Sequence, residues 1–146
     1  MPWYFAYGSN LNTRQMRKRI GKWEDSRRAV LKNHRLDFDK FSRGRWYGGV
    51  ADVVECVGKE VVGAVYMITE QQLEKLDFWE TGYERSHVIV ECDSKPIETV
   101  TYKVIDKEKF HAPSEKYIET VLEGLLNHGY SRPVVLKIKS EIESMT

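Results

Sequence analysis

The sequence has no long hydrophobic run. Its longest nearly apolar stretch, residues 61–68, has eight residues and includes a glycine, whereas a helix that crosses a membrane needs about 20 apolar residues. The first residues lack the basic segment followed by an apolar one that marks a secretory signal peptide. We therefore expect neither a membrane protein nor a secreted one, and we predict a cytoplasmic location.

Cysteine is also scarce, and histidine is not clustered. The two cysteines, Cys56 and Cys92, are too few for a disulfide scaffold or a four-cysteine zinc site. No pair of histidines has the spacing of a helix-borne zinc site. The histidines are His34, His87, His111 and His128. We expect no metal and no cofactor.

Charge is nearly balanced over the whole chain but not along it. Residues 1–50 hold 12 lysines and arginines against 4 acidic residues, and residues 51–146 hold 11 against 18. The basic cluster between Arg14 and Arg35 could meet phosphates or an acidic partner. It could equally be a solvated face, or lie beside the acidic second half. No stacking aromatics are interleaved with it, which argues against nucleic acid.

The 146 residues, 41% of them hydrophobic, suit one domain over residues 1–146, with residues 130–146 as a C-terminal extension. Strand patterns cover residues 3–7 and 28–41. Residues 50–56 and 61–68 suggest a hairpin joined through residues 57–60, and a second hairpin covers residues 88–92 and 97–105.

Helix signals fall between these strands. Asn12 or Thr13 can cap a short helix that ends at Gly21, and the Thr69 to Gln72 spacing indicates a capping box. The clearest helical stripe covers residues 114–128, and a further helix can begin after Pro133. These elements predict an α+β fold, a mixed sheet curled towards a small β-barrel with flanking helices.

The segment from Tyr7 to Leu11 leads from a strand through glycine and small polar residues to a helix start. Backbone N–H groups gathered at such a point favour an anion or a developing oxyanion. A plain strand-to-helix turn explains the same residues. Ser9 lacks the glycine two residues later that a hydrolase nucleophile requires.

Glu80 follows the helical pattern of Leu73, Leu76 and Trp79. If Leu76 and Trp79 face the core, apolar surroundings raise the pKa of Glu80, as a general base near neutral pH requires. An exposed helix-end residue is an equal alternative. Asp77 could instead be the carboxylate that matters, or a structural partner.

Several segments together resemble the γ-glutamylcyclotransferase family, which includes the plant AIG2-like proteins. The resemblance covers most of residues 3–130, in order. The residues that carry it are Tyr4-Phe5-Ala6-Tyr7-Gly8-Ser9-Asn10-Leu11, Gly48-Gly49-Val50-Ala51, Val61-Val62-Gly63-Ala64-Val65-Tyr66, Leu76-Asp77-Phe78-Trp79-Glu80, Gly82-Tyr83-Glu84-Arg85, Ala112-Pro113-Ser114 and Tyr117-Ile118.

The resemblance implies a small mixed barrel with a cavity at one end and Glu80 as the catalytic residue. It also implies seven substrate-binding residues, namely Tyr7, Gly8, Ser9, Asn10, Leu11, Tyr102 and Tyr117. His87 would sit on the pocket wall, and Trp79 would narrow the entrance.

The activity implied is cofactor-independent cyclisation of a γ-glutamyl amide to 5-oxoproline, with release of an amine or amino acid. This is an acyltransferase-type reaction in which Glu80 is general acid and base, and the partner is a small γ-glutamyl substrate. Three alternatives stay open: another γ-glutamyl compound, a binding or interaction protein of the same fold without turnover, and a basic-patch RNA-binding protein. An exposed aromatic face could pair two copies into a homodimer.

Overall fold

The computed structural model describes residues 1–145, and within them five strands form a closed barrel. The order around the barrel is β1-β3-β2-β4-β5, with every pair antiparallel except β1 and β5. The strands are β1 (Trp3–Ala6), β2 (Asp25–Ser42), β3 (Gly48–Met67), β4 (Tyr83–Cys92) and β5 (Lys95–Val104). The helices are α1 (Thr13–Ile20), α2 (Glu70–Trp79), α3 (Glu115–Asn127) and α4 (Arg132–Glu143). The predicted α+β barrel is confirmed.

Helices α1, α2 and α3 each begin with a side-chain cap, whereas α4 begins at Arg132, just before the expected start after Pro133. The Asn12 side chain accepts a hydrogen bond from the Gln15 amide at the start of α1 (3.3 Å). Thr69 and Gln72 form the reciprocal capping box of α2. Ser114 accepts from a backbone amide in the first turn of α3. Each cap satisfies an N–H group that a helix start leaves unpaired.

The hairpin predicted within residues 50–68 is wrong. Residues 50–67 belong to β3, one strand of 20 residues that pairs with β2 along its length. Residues 57–60 carry a turn signal, but residues 57–59 lie in a bulge opposite Asn33 and Glu60 pairs with Lys32. The Asn33 side chain accepts from the Gly58 amide (3.2 Å). The long partner strand β2 supplies the pairing on both sides of the bulge, so the chain does not reverse there. The second hairpin is confirmed as β4 and β5.

A short 3-10 turn, Ser9–Leu11, follows β1 and is held by the core. The buried Tyr66 hydroxyl donates to the Asn10 carbonyl oxygen (2.8 Å). Helix α3 crosses the turn closely, since a Cβ atom at Gly124 would lie 2.4 Å from the Leu11 carbonyl carbon. Only glycine permits this approach, which fixes the segment after β1 against the barrel.

The C-terminal segment packs on the outside of the barrel. The Tyr130 hydroxyl donates to the Gly63 carbonyl oxygen (2.7 Å), and Val135 and Ile142 are buried on α4. Within residues 1–145, every helix is too short or too polar to span a bilayer.

The basic cluster is spread over α1 and β2. Arg14 pairs with Glu123 (3.5 Å) and Lys32 with Glu60 (3.0 Å). Part of the acidic second half of the chain therefore lies beside the basic cluster, which was one of the alternatives that the sequence allowed.

Candidate active site

A cavity of about 550 Å³ lies where β1 ends and where β3 and β4 begin. The segment after β1, the end of α2, the start of α3 and the turn between β2 and β3 all contribute to its wall. Its volume is in the range typical of small-molecule sites. Seven of the eight predicted site residues line it: Tyr7, Gly8, Ser9, Asn10, Glu80, Tyr102 and Tyr117.

Glu80 enters this cavity because α2 ends just before it. Its amide still donates to the Leu76 carbonyl oxygen (3.0 Å), while its backbone leaves the helical conformation. The half-buried side chain reaches the segment after β1, where Oε1 accepts a hydrogen bond from Asn10 Nδ2 (2.9 Å). The fold therefore joins two predicted site residues that are 70 positions apart.

The Asn10 amide is held in one orientation by its other partners. Oδ1 accepts from Gln15 Nε2 (3.0 Å) and from Arg19 Nη1 (2.9 Å), while Nδ2 also donates to the Tyr4 hydroxyl (2.9 Å). Gln15 and Arg19 lie four residues apart and so share one face of α1. Because both acceptor positions of Asn10 meet donors, its NH₂ group must face Glu80.

The surroundings of Glu80 set its proton affinity. Burial raises the pKa of Glu80 to about 7, and the charge of Asp77 acts in the same direction. The positive charge of Arg19 and the Asn10 hydrogen bond lower this pKa, with smaller effect than burial. The carboxyl therefore changes protonation near neutral pH, which suits a group that both takes and returns a proton.

Tyr117 holds the opposite wall of the cavity. Its hydroxyl accepts hydrogen bonds from the backbone N–H groups of Ala51 (3.0 Å) and Ser9, and burial raises its pKa. A Cβ atom at Gly8 would lie 2.8 Å from this oxygen, so glycine lets the two come together. The Tyr83 hydroxyl, which the sequence did not single out, donates to the Ala51 carbonyl oxygen (2.6 Å).

The remaining predicted residues differ in what they present to the cavity. Tyr7 donates its hydroxyl to the Tyr102 carbonyl oxygen (2.5 Å), and the Tyr102 hydroxyl donates to Asp77 (2.5 Å). Leu11 does not line the cavity: it is buried, and its amide donates to the Gly8 carbonyl oxygen (3.0 Å).

Asp77 takes the structural role that the sequence left open. Arg85 donates to both of its carboxylate oxygens (2.9 and 2.7 Å), and this pairing lowers the pKa of Asp77.

Trp79 does not face the core, so that condition for a raised pKa of Glu80 is not met. The side chain is 44% exposed and lines the cavity, because α2 ends at this residue and its ring leaves the buried face. His87 does not lie on the wall of this cavity either. It lines a second cavity, beside Trp3 and His34.

Sequence reasoning missed most of the positive charge at the site. Arg19, Lys40, Arg43 and Arg45 all line the cavity. The available signal was the spacing of Arg19 from Gln15 on α1, and the basic turn between two long strands.

Among residues 1–145, no three histidine, cysteine, aspartate or glutamate side chains come together as ligands for a metal ion. That the protein needs no cofactor stays a prediction.

The sequence profile described as "Gamma-glutamyl cyclotransferase, AIG2-like" matches residues 4–119. The chain belongs to this family. It is similar to human γ-glutamylcyclotransferase, with 30% identity across 94% of this chain and 77% of the relative. The mouse γ-glutamylcyclotransferase is 29% identical with the same coverage.

The solved structure of a "Gamma-glutamyl cyclotransferase" superposes with a TM-score of 0.86, at 29% identity. The match covers 98% of this chain and 96% of that one. The family resemblance seen in the sequence is therefore confirmed over nearly the whole chain.

Proposed function

We propose that this protein cyclises a γ-glutamyl amide to 5-oxoproline and releases an amine or amino acid. The observation that carries the proposal is the carboxyl of Glu80, which opens into the cavity, binds Asn10 and has a pKa of about 7. Relatives named γ-glutamylcyclotransferase support the same reaction.

The reaction needs a proton acceptor before anything else. The substrate's α-amine is protonated near neutral pH, and an ammonium group cannot attack. Ionised Glu80 takes one proton from it, and the freed amine attacks the substrate's own γ-carbonyl carbon to form the ring C–N bond. Because the nucleophile and the carbonyl belong to one molecule, the protein mainly has to hold them in reactive geometry.

The second step breaks the original amide bond. Glu80 returns its proton to the leaving nitrogen and then takes the extra proton that the ring nitrogen still carries, while the C–N bond breaks and the tetrahedral oxygen regains its double bond. That second proton passes to the released amine, so the products are 5-oxoproline and an ammonium group, and Glu80 ends ionised, as it began. The substrate's atoms and protons balance without any co-reactant.

We propose that the segment after β1 binds the negatively charged part of the substrate. The backbone N–H groups of Gly8 and Asn10 are the donors we expect at the α-carboxylate or at the developing oxyanion. The other two amides of this segment already have partners. The Ser9 N–H donates to the Tyr117 hydroxyl, and the Leu11 N–H donates to the Gly8 carbonyl oxygen. Leu11 therefore contributes packing.

The test is 5-oxoproline release from γ-glutamyl dipeptides, γ-glutamylamines and glutathione. Glu80→Gln keeps the size of the side chain and its acceptor for Asn10, but it cannot take a proton. We expect kcat to fall by about 10²- to 10⁴-fold, the usual contribution of general acid–base catalysis. Asp77→Asn is the matched control, because it changes a carboxyl three residues away that faces Arg85.

Undiminished 5-oxoproline release by Glu80→Gln would overturn the role of Glu80. Tight binding of γ-glutamyl compounds by the unmodified protein without any 5-oxoproline would favour the alternative, a binding protein of the same fold.

Cytoplasmic location, homodimer formation and the absence of nucleic-acid binding stay predictions. The homodimer prediction is supported by the 82% exposure of Phe78 on α2, next to the exposed Trp79. Sedimentation of the purified protein tests it directly.

A further inference from the structure

The cavity carries more positive charge than the proposed reaction needs. Four cationic side chains line it, namely Arg19, Lys40, Arg43 and Arg45, against the single acidic residue Glu80. Arg19 is accounted for, because it donates to Asn10 and its charge lowers the pKa of Glu80. The other three need a different explanation.

Arg45 is held over the cavity by aromatic rings. It lies on the turn between β2 and β3, and its guanidinium carbon is 5.3 Å from the ring centre of Trp46 and 5.8 Å from that of Trp79. The guanidinium carbon of Arg19 also lies 5.0 Å from the ring centre of Trp79. Stacking on indole rings orients a guanidinium while its N–H groups stay available for an anion.

Lys40 reaches the same cavity from β2. A Cβ atom at Gly82 would lie 2.5 Å from Lys40 Nζ, so the ammonium group sits against the turn two residues after Glu80. Lys40 lies on β2 and Arg45 lies on the turn that follows this strand, and both side chains line the cavity.

These cations differ from Arg85, which is paired with carboxylates. Arg85 pairs with Asp77 and Glu70. In the part of the chain that the structure describes, no carboxylate forms an ion pair with Lys40, Arg43 or Arg45. Like charges gathered in a cleft repel one another and attract anions into it.

Charge matching then selects among substrates. The γ-glutamyl part brings one carboxylate and one ammonium group, and so has no net charge. A simple leaving amine would leave the additional cations unmatched, and a neutral amino acid would add one carboxylate. A leaving group with two carboxylates would match two of them.

We infer that Arg45 and Lys40 bind carboxylates on the leaving group, and that the preferred substrates are γ-glutamyl compounds whose leaving amine is an acidic amino acid. This inference rests on the proposed function, since it concerns the same cavity. Arg45 then acts as a specificity residue, distinct from the proton transfer by Glu80.

The experiment compares kcat/KM for three probes: γ-glutamylglutamate, γ-glutamylalanine and γ-glutamylbutylamine. We expect kcat/KM to fall in that order, and the preference for the first to weaken as salt is added. In Arg45→Gln, the ratio of kcat/KM for γ-glutamylglutamate to that for γ-glutamylalanine should fall about tenfold, as expected for one charge-assisted contact. Arg132→Gln makes the same change of charge at an exposed position on α4, outside the cavity, and should leave the ratio as it was.

Equal kcat/KM for the glutamate and alanine probes would overturn the inference and leave the proposed function standing. An unchanged ratio in Arg45→Gln, or an equal fall in Arg132→Gln, would likewise overturn the role of Arg45. Absence of 5-oxoproline from all three probes would overturn the proposed function, and the inference with it.

Discussion

Two carboxyl groups, three residues apart at the end of α2, have opposite surroundings. Asp77 points out of the cavity to Arg85 (2.7 Å) and accepts from the Tyr102 hydroxyl, and its pKa lies below its usual value. Glu80 opens into the cavity, where burial raises its pKa to about 7. One helix end therefore carries a carboxylate that the fold stabilises and one that the fold disfavours.

The difference shows in how each group contributes to stability. The folded state favours ionised Asp77, so its contribution is present above the unfolded pKa and is lost as the pH falls through the lower folded value. For Glu80 the sign is reversed. Its contribution is present below the unfolded pKa of about 4.5 and is lost as the pH rises through about 7. A carboxylate retained at a cost to stability is typical of an active site.

The largest effect expected from the difference between Asp77 and Glu80 is that a substitution of Glu80 stabilises the folded protein. Glu80→Gln removes the cost of ionising a buried carboxyl, so the free energy of unfolding at pH 8 should rise by about 1–3 kcal/mol, with little change at pH 4. Urea unfolding at pH 4, 6 and 8 measures this directly. A Glu80→Gln protein that is less stable than the unmodified protein at pH 8 would make Glu80 a structural residue.

Changing Asn10 should shift the pKa of Glu80 and with it the pH dependence of activity. Activity should fall as the pH drops through about 7, because protonated Glu80 cannot accept the substrate's proton. The hydrogen bond from Asn10 lowers the pKa of Glu80. Asn10→Ala should therefore move the midpoint of the kcat/KM profile upward by about one pH unit.

Asn127→Ala is a matched control for this profile. Its side chain accepts from Thr13 at the start of α1, away from Glu80. It should leave the midpoint in place. A midpoint that stays put or moves downward in Asn10→Ala would show that Asn10 does not stabilise the ionised carboxyl.

The sequence indicates Asn10 and Glu80 as site residues, but it does not show that they lie in contact. The capping box at Thr69 and the helical pattern after it predict where α2 starts, and the family motif names Asn10 and Glu80. Their hydrogen bond joins positions 70 residues apart and exists because the barrel closes. The contribution of Arg19 is hidden for the same reason.

The departures from local pattern at residues 57–60 and at Trp79 have a common physical cause. Glycine and charge at residues 57–60 resemble a hairpin turn, but pairing with the 18 residues of β2 keeps β3 continuous through a bulge. Trp79 matches helical spacing, yet the helix ends at it, so its ring covers the cavity. In both cases tertiary contacts override a local pattern.

The smallest effect is expected at Asp77, the carboxylate that the fold stabilises. Asp77→Asn keeps a hydrogen-bonding group for Tyr102 but removes the charge that pairs with Arg85, whose side chain is one-third exposed. Because such pairs are partly screened by solvent, the free energy of unfolding at pH 7 should fall by only about 0.5–1 kcal/mol. In 1 M salt the loss should shrink. Glu70→Gln, which removes the second partner of the same arginine, should cost less.

If Asp77→Asn unfolds like the unmodified protein at low salt, the ion pair contributes nothing to stability. The lowered pKa of Asp77 would then reflect its surroundings without a gain for the fold.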